Sequence, residues 1–242
     1  MKKKKNYKGL VLIPAFNEEE SISRVVRKAC AYLSVLVVDD GSQDRTVQQA
    51  KSAGAEVISN ARNMGKGASL QAGIQHALAQ GVEYVITLDA DGQHDPQEIP
   101  AFIEAYEDHQ SDLIIGRRDF TQMPVVRRAS NTLGTSLFSW AVGRTIHDNQ
   151  SGYRLIGQRL MKVLHASRES GFEFEVEMIV TCIQRRFRLD WVPIRTIYAG
   201  EKSHIKPLQH TRKFVGVCLR ARRLIKKDPI FKILFPHFGQ VK

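Results

Sequence analysis

Two aspartates stand one residue apart in Leu88-Asp89-Ala90-Asp91-Gly92-Gln93-His94, directly after the apolar run Tyr84-Val85-Ile86-Thr87-Leu88. That run reads as a buried strand, and period-two alternation sets both carboxylates on one side of the chain where it leaves the strand. Like charges held that close are costly unless a cation joins them. Hard oxygen ligands at this spacing suit Mg²⁺ or Mn²⁺, and such an ion can in turn hold a diphosphate. An isolated D-x-D is more often a polar turn with an aspartate cap, so its meaning depends on what surrounds it.

The surrounding elements alternate. Gly9 to Ile13 reads as a strand, with Asn17 capping a helix whose first turn is Glu18-Glu19-Glu20. A strand at Val35–Val38 stops at Asp39-Asp40-Gly41-Ser42, and Asp44 caps a helix toward Ala53. A strand at Glu56–Ile58, a helix from Gly65 to Ala79, the strand before Asp89, a helix near Pro96 to Glu107 and a strand at Leu113–Ile115 follow. Strands alternating with helices predict an α/β fold with a mainly parallel, doubly wound sheet, which binds ligands at the carboxyl ends of its strands. Glu18, Asp39, Asp40, Asp89 and Asp91 all fall at such ends. The second half predicts helices over Arg127–Gly143, Phe172–Cys182 and His210–Ile225 and a strand over Leu189–Ile197; for Gly152 and Tyr153 the plain alternative to a role in the site is a tight turn and a packed ring.

Four segments occur in order on this one sheet: Ile13-Pro14-Ala15-Phe16-Asn17-Glu18, Val37-Val38-Asp39-Asp40-Gly41-Ser42, Asn63-Met64-Gly65-Lys66-Gly67-Ala68 and Asp89-Ala90-Asp91-Gly92-Gln93-His94. Together they resemble the inverting glycosyltransferases of family 2, over roughly residues 9 to 205. Asp148-Asn149-Gln150-Ser151-Gly152-Tyr153-Arg154 is similar to the acceptor-side motif of the dolichyl-phosphate mannosyltransferase-like branch, which acts on polyprenyl phosphates. The resemblance implies a GT-A-type nucleotide-sugar-binding fold and a nucleotide-diphospho-sugar donor. It implies that Pro14, Phe16, Glu18, Asp39, Asp40, Lys66 and Asp89 line the donor site, and that Asp89, Asp91 and Gln93 hold Mg²⁺ or Mn²⁺. It implies that Arg118, Arg127 and Asn131 meet an acceptor phosphate, with Arg117, Arg154 and Lys202 as further contacts, and that Asp91, Arg118 and Arg127 carry the reaction. His94 reads as a turn residue behind the ligands.

Members acting on soluble acceptors carry a catalytic base, often in a Glu-Asp pair. Here the matching stretch is Phe172-Glu173-Phe174-Glu175-Val176-Glu177, without that pair. A phosphate acceptor explains this, because its second pKa near ~6 leaves it ionised without a base. The alternative is a carbohydrate acceptor with Glu175 or Glu177 as base. Gly200 to Ile205 loosely matches the branch's mobile loop, with Lys202 ahead of Ser203.

Composition bounds the rest. Hydrophobic residues make up 43%, enough for a sizeable core. Cys30, Cys182 and Cys218 are scattered, against a disulfide framework or zinc site and in keeping with a reducing cytoplasm. No run reaches the ~20 apolar residues of a membrane span. The net charge is +11, and residues 202–242 hold eleven Lys/Arg against one acid, Asp228. So placed, the charge predicts a basic amphipathic tail at 206–242 that rests on an anionic membrane surface, beside a basic N-terminal tail at 1–8. The transferase domain at 9–205 divides into a nucleotide-sugar half at 9–116 and an acceptor half at 117–205. A nucleic-acid-binding protein using the tail is the rival from another class; no nucleic acid is expected under the transferase reading.

Overall fold

The computed structural model describes residues 8–123, 125–165, 173–195 and 207–227. Its strands are β1 (Gly9–Ala15), β2 (Ser34–Asp39), β3 (Glu56–Ser59), β4 (Tyr84–Thr87), β5 (Leu113–Arg118), β6 (Arg154–Gly157) and β7 (Leu189–Ile194). Its helices are α1 (Ile22–Ala29), α2 (Thr46–Ser52), α3 (Lys66–Ala79), α4 (Ile99–His109), α5 (Val125–Val142), α6 (Gln158–Leu164), α7 (Glu173–Gln184) and α8 (Pro207–Lys227).

The strands form one sheet in the order β3-β2-β1-β4-β6-β5-β7. Strands β3, β2, β1 and β4 are parallel neighbours, as are β5 and β7, while β6 runs antiparallel between β4 and β5. The architecture is a GT-A-like α/β fold with a mixed, mostly parallel sheet. Neither β6 nor α6 is among the predicted elements, because Arg154–Gly157 is too short to show a period of its own.

Both faces of the sheet are covered, and β1 shows how. Leu10 and Leu12 enter a core shared with Leu70 and Ile74 of α3, Phe138 of α5 and Phe174 of α7. Val11 and Ile13 enter the opposite core with Ile22 and Val25 of α1 and Phe102 of α4. Burying one such side chain contributes ~1.5–3 kcal/mol, and a one-residue slip would exchange the two sets.

One helix start differs from expectation and one agrees. Asn17 does not cap α1; it adopts a left-handed backbone (φ 55°), and α1 begins after Ser21. Its side-chain oxygen instead accepts from Gln43 N at 2.9 Å, and its own N–H donates to Ser42 Oγ, which ties the β1 exit to the β2 exit. Asp44 does hold the start of α2, accepting from Thr46 N at 2.9 Å.

Candidate active site

Beyond β4 the alternation continues off the strand. Leu88 and Ala90 are buried in the α1–α4 core, and half-buried Asp89 and Asp91 alternate with them. Four contacts fix this loop. Asp91 Oδ1 accepts from Gln93 N at 2.9 Å, which closes a tight turn. His94, buried beneath, accepts the Asp89 N–H at Nδ1 (3.4 Å) and lies 5.3 Å, ring to ring, from Tyr153. Gly152 abuts Asp89 from the β6 side: a Cβ there would stand 2.6 Å from Asp89 Oδ2.

Lys66 opens α3, and its position is built by Asp40. The Asp40 carboxylate accepts from Met64 N, Gly65 N and Asn60 Nδ2 at 2.8–2.9 Å. Gly65 needs its positive φ of 94° to turn into the helix. From there Lys66 Nζ reaches Asp89 Oδ1 at 2.6 Å and Glu175 Oε1 at 3.1 Å. Burial alone would lower the Lys66 ammonium, but the charges of Asp89 and Glu175 outweigh it and hold the pKa above its ordinary value. Burial likewise opposes ionisation of Asp89, and Lys66, His94 and Arg118 overcome it, keeping this carboxyl well below the usual range. His94 goes the other way. Burial, with Lys66 and Arg118 nearby, pushes it down to about 4 against the pull of Asp89 and Asp148.

On the far side of Asp89, Arg118 at the end of β5 makes a two-pronged pair with fully buried Asp148, at 2.7 and 2.9 Å. Asp148 also accepts from Gln150 N and Ser151 N, so one carboxylate shapes the 148–151 loop and orients the arginine. Asn131 on α5 is buried and touches Met123 Sδ at 3.1 Å.

The structure therefore brings Lys66, Asp89, Glu175, His94, Arg118 and Asp148 together, with Asp91 and Gln93 on the same loop. Phe16 is exposed, and Pro14 and Glu18 stand at the β1 exit, where the Glu18 N–H donates to Thr46 Oγ1 at 2.7 Å. Two expectations change. Asp40 is committed to the loop before Lys66, as just described, while Asp39 accepts from Ser42 N at 3.2 Å. Arg154 is not at the mouth of the acceptor side. It is 1% exposed, and its guanidinium donates to the backbone carbonyls of Ser151, Asn149 and Glu175. Its place follows from β6 lying inside the sheet, which a turn at Gly152-Tyr153 did not suggest. Arg117 and Arg128 are exposed. The Arg127 side chain and Lys202, with the whole 200–205 loop, lie outside the described residues, as do residues 1–7 and 228–242. Asp148 was legible as part of a motif but not as the partner of Arg118, and His94 was legible only as a turn residue.

The donor set suits a shared cation. Among the described residues no three His, Cys, Asp or Glu side chains form a metal-binding group. Two aspartates with an amide match an ion that takes its remaining ligands from a substrate's phosphates, as Mg²⁺ commonly does. Gly152 supplies the space Asp89 needs for that.

Parallel strands with carboxylates at their exits and a lysine over them form a polar site of the kind in which α/β sheets bind ligands. The glycosyl transferase family 2 model matches residues 10–164, so the chain belongs to that family and is a glycosyltransferase. An uncharacterized protein of Methanocaldococcus jannaschii is 33% identical over 197 residues, covering 78% of this chain and 81% of the relative. The UDP-N-acetylglucosamine–dolichyl-phosphate N-acetylglucosaminyltransferase of Methanococcus voltae is 29% identical, covering 78% and 85%. Among solved structures, glucosyl-3-phosphoglycerate synthase from Mycobacterium tuberculosis, in complex with Mn²⁺, UDP-glucose and phosphoglyceric acid, aligns with a TM-score of 0.73. It is 18% identical and covers 90% of this chain and 80% of its own.

Proposed function

We propose that this chain transfers a sugar from a nucleoside-diphosphate sugar to an oxygen acceptor, with inversion at the anomeric carbon. The observation that carries the reading is the Lys66–Asp89–Glu175 cluster at the strand exits, with Arg118 and Asp148 across from it. Asp91, Gln93 and Asp89 would hold a divalent ion, which supplies positive charge for the departing diphosphate. Lys66 adds a point charge on the same side. Pro14, Phe16, Glu18 and Asp39 would line the nucleoside side of the donor. In the transfer, the acceptor oxygen bonds to the anomeric carbon as the bond from that carbon to the diphosphate breaks, and the electron pair leaves with the nucleoside diphosphate.

Two acceptors have separate support. A soluble acceptor attacking through a hydroxyl is favoured by the site geometry, because Glu175 puts a carboxylate in the cluster that can take the hydroxyl proton. The phosphoglyceric acid bound to the structural relative belongs to this class. A polyprenyl phosphate, ionised already, needs no base but needs cations to place it. Arg118 and, on α5, Arg127 would supply that charge and Asn131 an amide donor, and several curated relatives name lipid phosphates as their acceptors. On this second reading the protein works as a peripheral enzyme at the cytoplasmic membrane face, held by the exposed apolar and basic residues of α8.

The deciding experiment incubates radiolabelled nucleotide sugars with a polyprenyl phosphate in detergent and, separately, with phosphorylated and plain soluble acceptors. Wild type, Glu175→Gln and Asp91→Asn are compared. Aqueous product that falls by ~10²-fold or more in Glu175→Gln identifies a hydroxyl acceptor with Glu175 as base. Organic-soluble product that persists in Glu175→Gln identifies the lipid phosphate. Product undiminished by Asp91→Asn or by EDTA refutes the role given to the divalent ion.

A further inference from the structure

Lys66 Nζ and a divalent ion have claims on the same oxygen. The ammonium sits 2.6 Å from Asp89 Oδ1, within contact distance, and a Mg²⁺ ligated by that oxygen would approach it to ~2.1 Å. Two cations cannot share so close a ligand without strong mutual repulsion unless anions stand between them. Meanwhile Lys66 balances two carboxylates, since Glu175 Oε1 is only 3.1 Å from the same nitrogen. Glu175 is 4% exposed, so an unbalanced charge there would be expensive. Asp40 and Gly65 fix the backbone at the start of α3, and the Lys66 side chain is 35% exposed, so it faces the open side of the site.

We propose that Lys66 is a resident counter-cation that occupies Asp89 until a diphosphate draws it away, so that the divalent ion enters with the nucleotide and not ahead of it. The inference rests on the donor reading given above. A diphosphate carries several negative charges and offers the lysine a better partner than one carboxylate. As the ammonium turns to the phosphates, Asp89 becomes available to the incoming ion, and the phosphates lie between the two cations. Glu175 gives up its contact with Lys66 in the same movement. Nucleotide and metal are thereby coupled, and the coupling is reciprocal: each raises the affinity for the other by the same factor.

The test measures Mn²⁺ binding by electron paramagnetic resonance, with and without UDP, for wild type, Lys66→Gln and Lys66→Arg. Lys66→Gln removes the charge while leaving a polar amide in its place, and Lys66→Arg keeps the charge. Without UDP, Lys66→Gln is expected to bind Mn²⁺ about tenfold or more tighter than wild type, and Lys66→Arg to bind as wild type does. UDP should then strengthen Mn²⁺ binding far more in wild type than in Lys66→Gln. Equal affinities of wild type and Lys66→Gln for Mn²⁺ alone, or a tightening in Lys66→Arg as well, would overturn the inference while leaving the donor reading intact. No Mn²⁺ binding by any of the three proteins with UDP or with GDP present would overturn the donor reading itself. A measurement on wild type alone guards against misfolding of the variants. In metal-free buffer, the NMR signal of the Lys66 ammonium should shift when UDP is added, and an unmoved signal refutes the proposal.

Discussion

Gly152 has no side chain where Asp89 needs the room. With a Cβ only 2.6 Å from Oδ2 and 2.8 Å from Oδ1, Gly152→Ala must displace the carboxylate, since the glycine itself is held by its carbonyl, which accepts from Thr87 Oγ1 at 2.7 Å. Misplacing a reacting group by ~1 Å can cost ~10²-fold in rate, so kcat should fall by about that factor while the melting temperature changes little. His94 makes a different prediction. Its pKa is lowered from 6.5 to about 4 in the folded protein, chiefly by burial. The unfolded chain therefore binds the extra proton first, and stability is full above pH 6.5 and lost as pH falls toward 4. Denaturant titrations at pH 7 and pH 4.5 should show wild type losing up to roughly 3 kcal/mol more than His94→Gln. At this scale the sequence was informative about Asp89, Asp91 and Lys66, whose motifs are local. It was nearly silent on Glu175 meeting Lys66 and on Arg118 meeting Asp148, because those contacts join segments far apart along the chain.

Strand β6 and helix α7 are joined through a buried positive charge. The Arg154 guanidinium donates to carbonyls of the loop that precedes β6 and to Glu175 O on α7, so it sets the distance between Asp148 and Glu175. Burial lowers its pKa against the pull of Glu175, Asp148 and Asp89. Arg154→Leu leaves buried carbonyls without donors at ~1–3 kcal/mol each, for an expected loss of about 3–5 kcal/mol in chemical denaturation. Arg154→Lys should recover only part of this, since one ammonium cannot fan out to three carbonyls as a planar guanidinium does. Elements with strong periodicity were legible: β1, β2, α3, α4, α5 and α8 lie within a few residues of expectation. The antiparallel β6 was not, because its four buried residues, Arg154 among them, look like the end of a polar loop. Only the strand order reveals that this segment completes the sheet between β4 and β5.

Charge and apolar surface meet on one side of the whole molecule. Helix α8 buries Cys218, Ala221 and Ile225 against the core and leaves Val215, Leu219 and Leu224 exposed. Basic side chains accompany them: Arg222 stacks on Trp140 of α5 at 3.8 Å and donates to its carbonyl oxygen at 3.0 Å. Trp140 is itself half exposed, and Leu133 and Val125 of α5 are more so. Among the described residues no helix is long and apolar enough to cross a membrane. A face that mixes basic and apolar side chains suits lying on a lipid surface. If it does, anionic vesicles should bind the protein, with each basic residue near the surface contributing ~1 kcal/mol, and neutral vesicles should bind it far less. Raising the salt should release it, because screening shortens the reach of those charges. Leu219→Glu places a like charge on the lipid side of an exposed position, so it should weaken vesicle binding by at least about tenfold without altering the melting temperature. Sedimentation with vesicles decides the matter: binding that ignores both lipid charge and Leu219→Glu would detach this face from the membrane and favour the soluble acceptor.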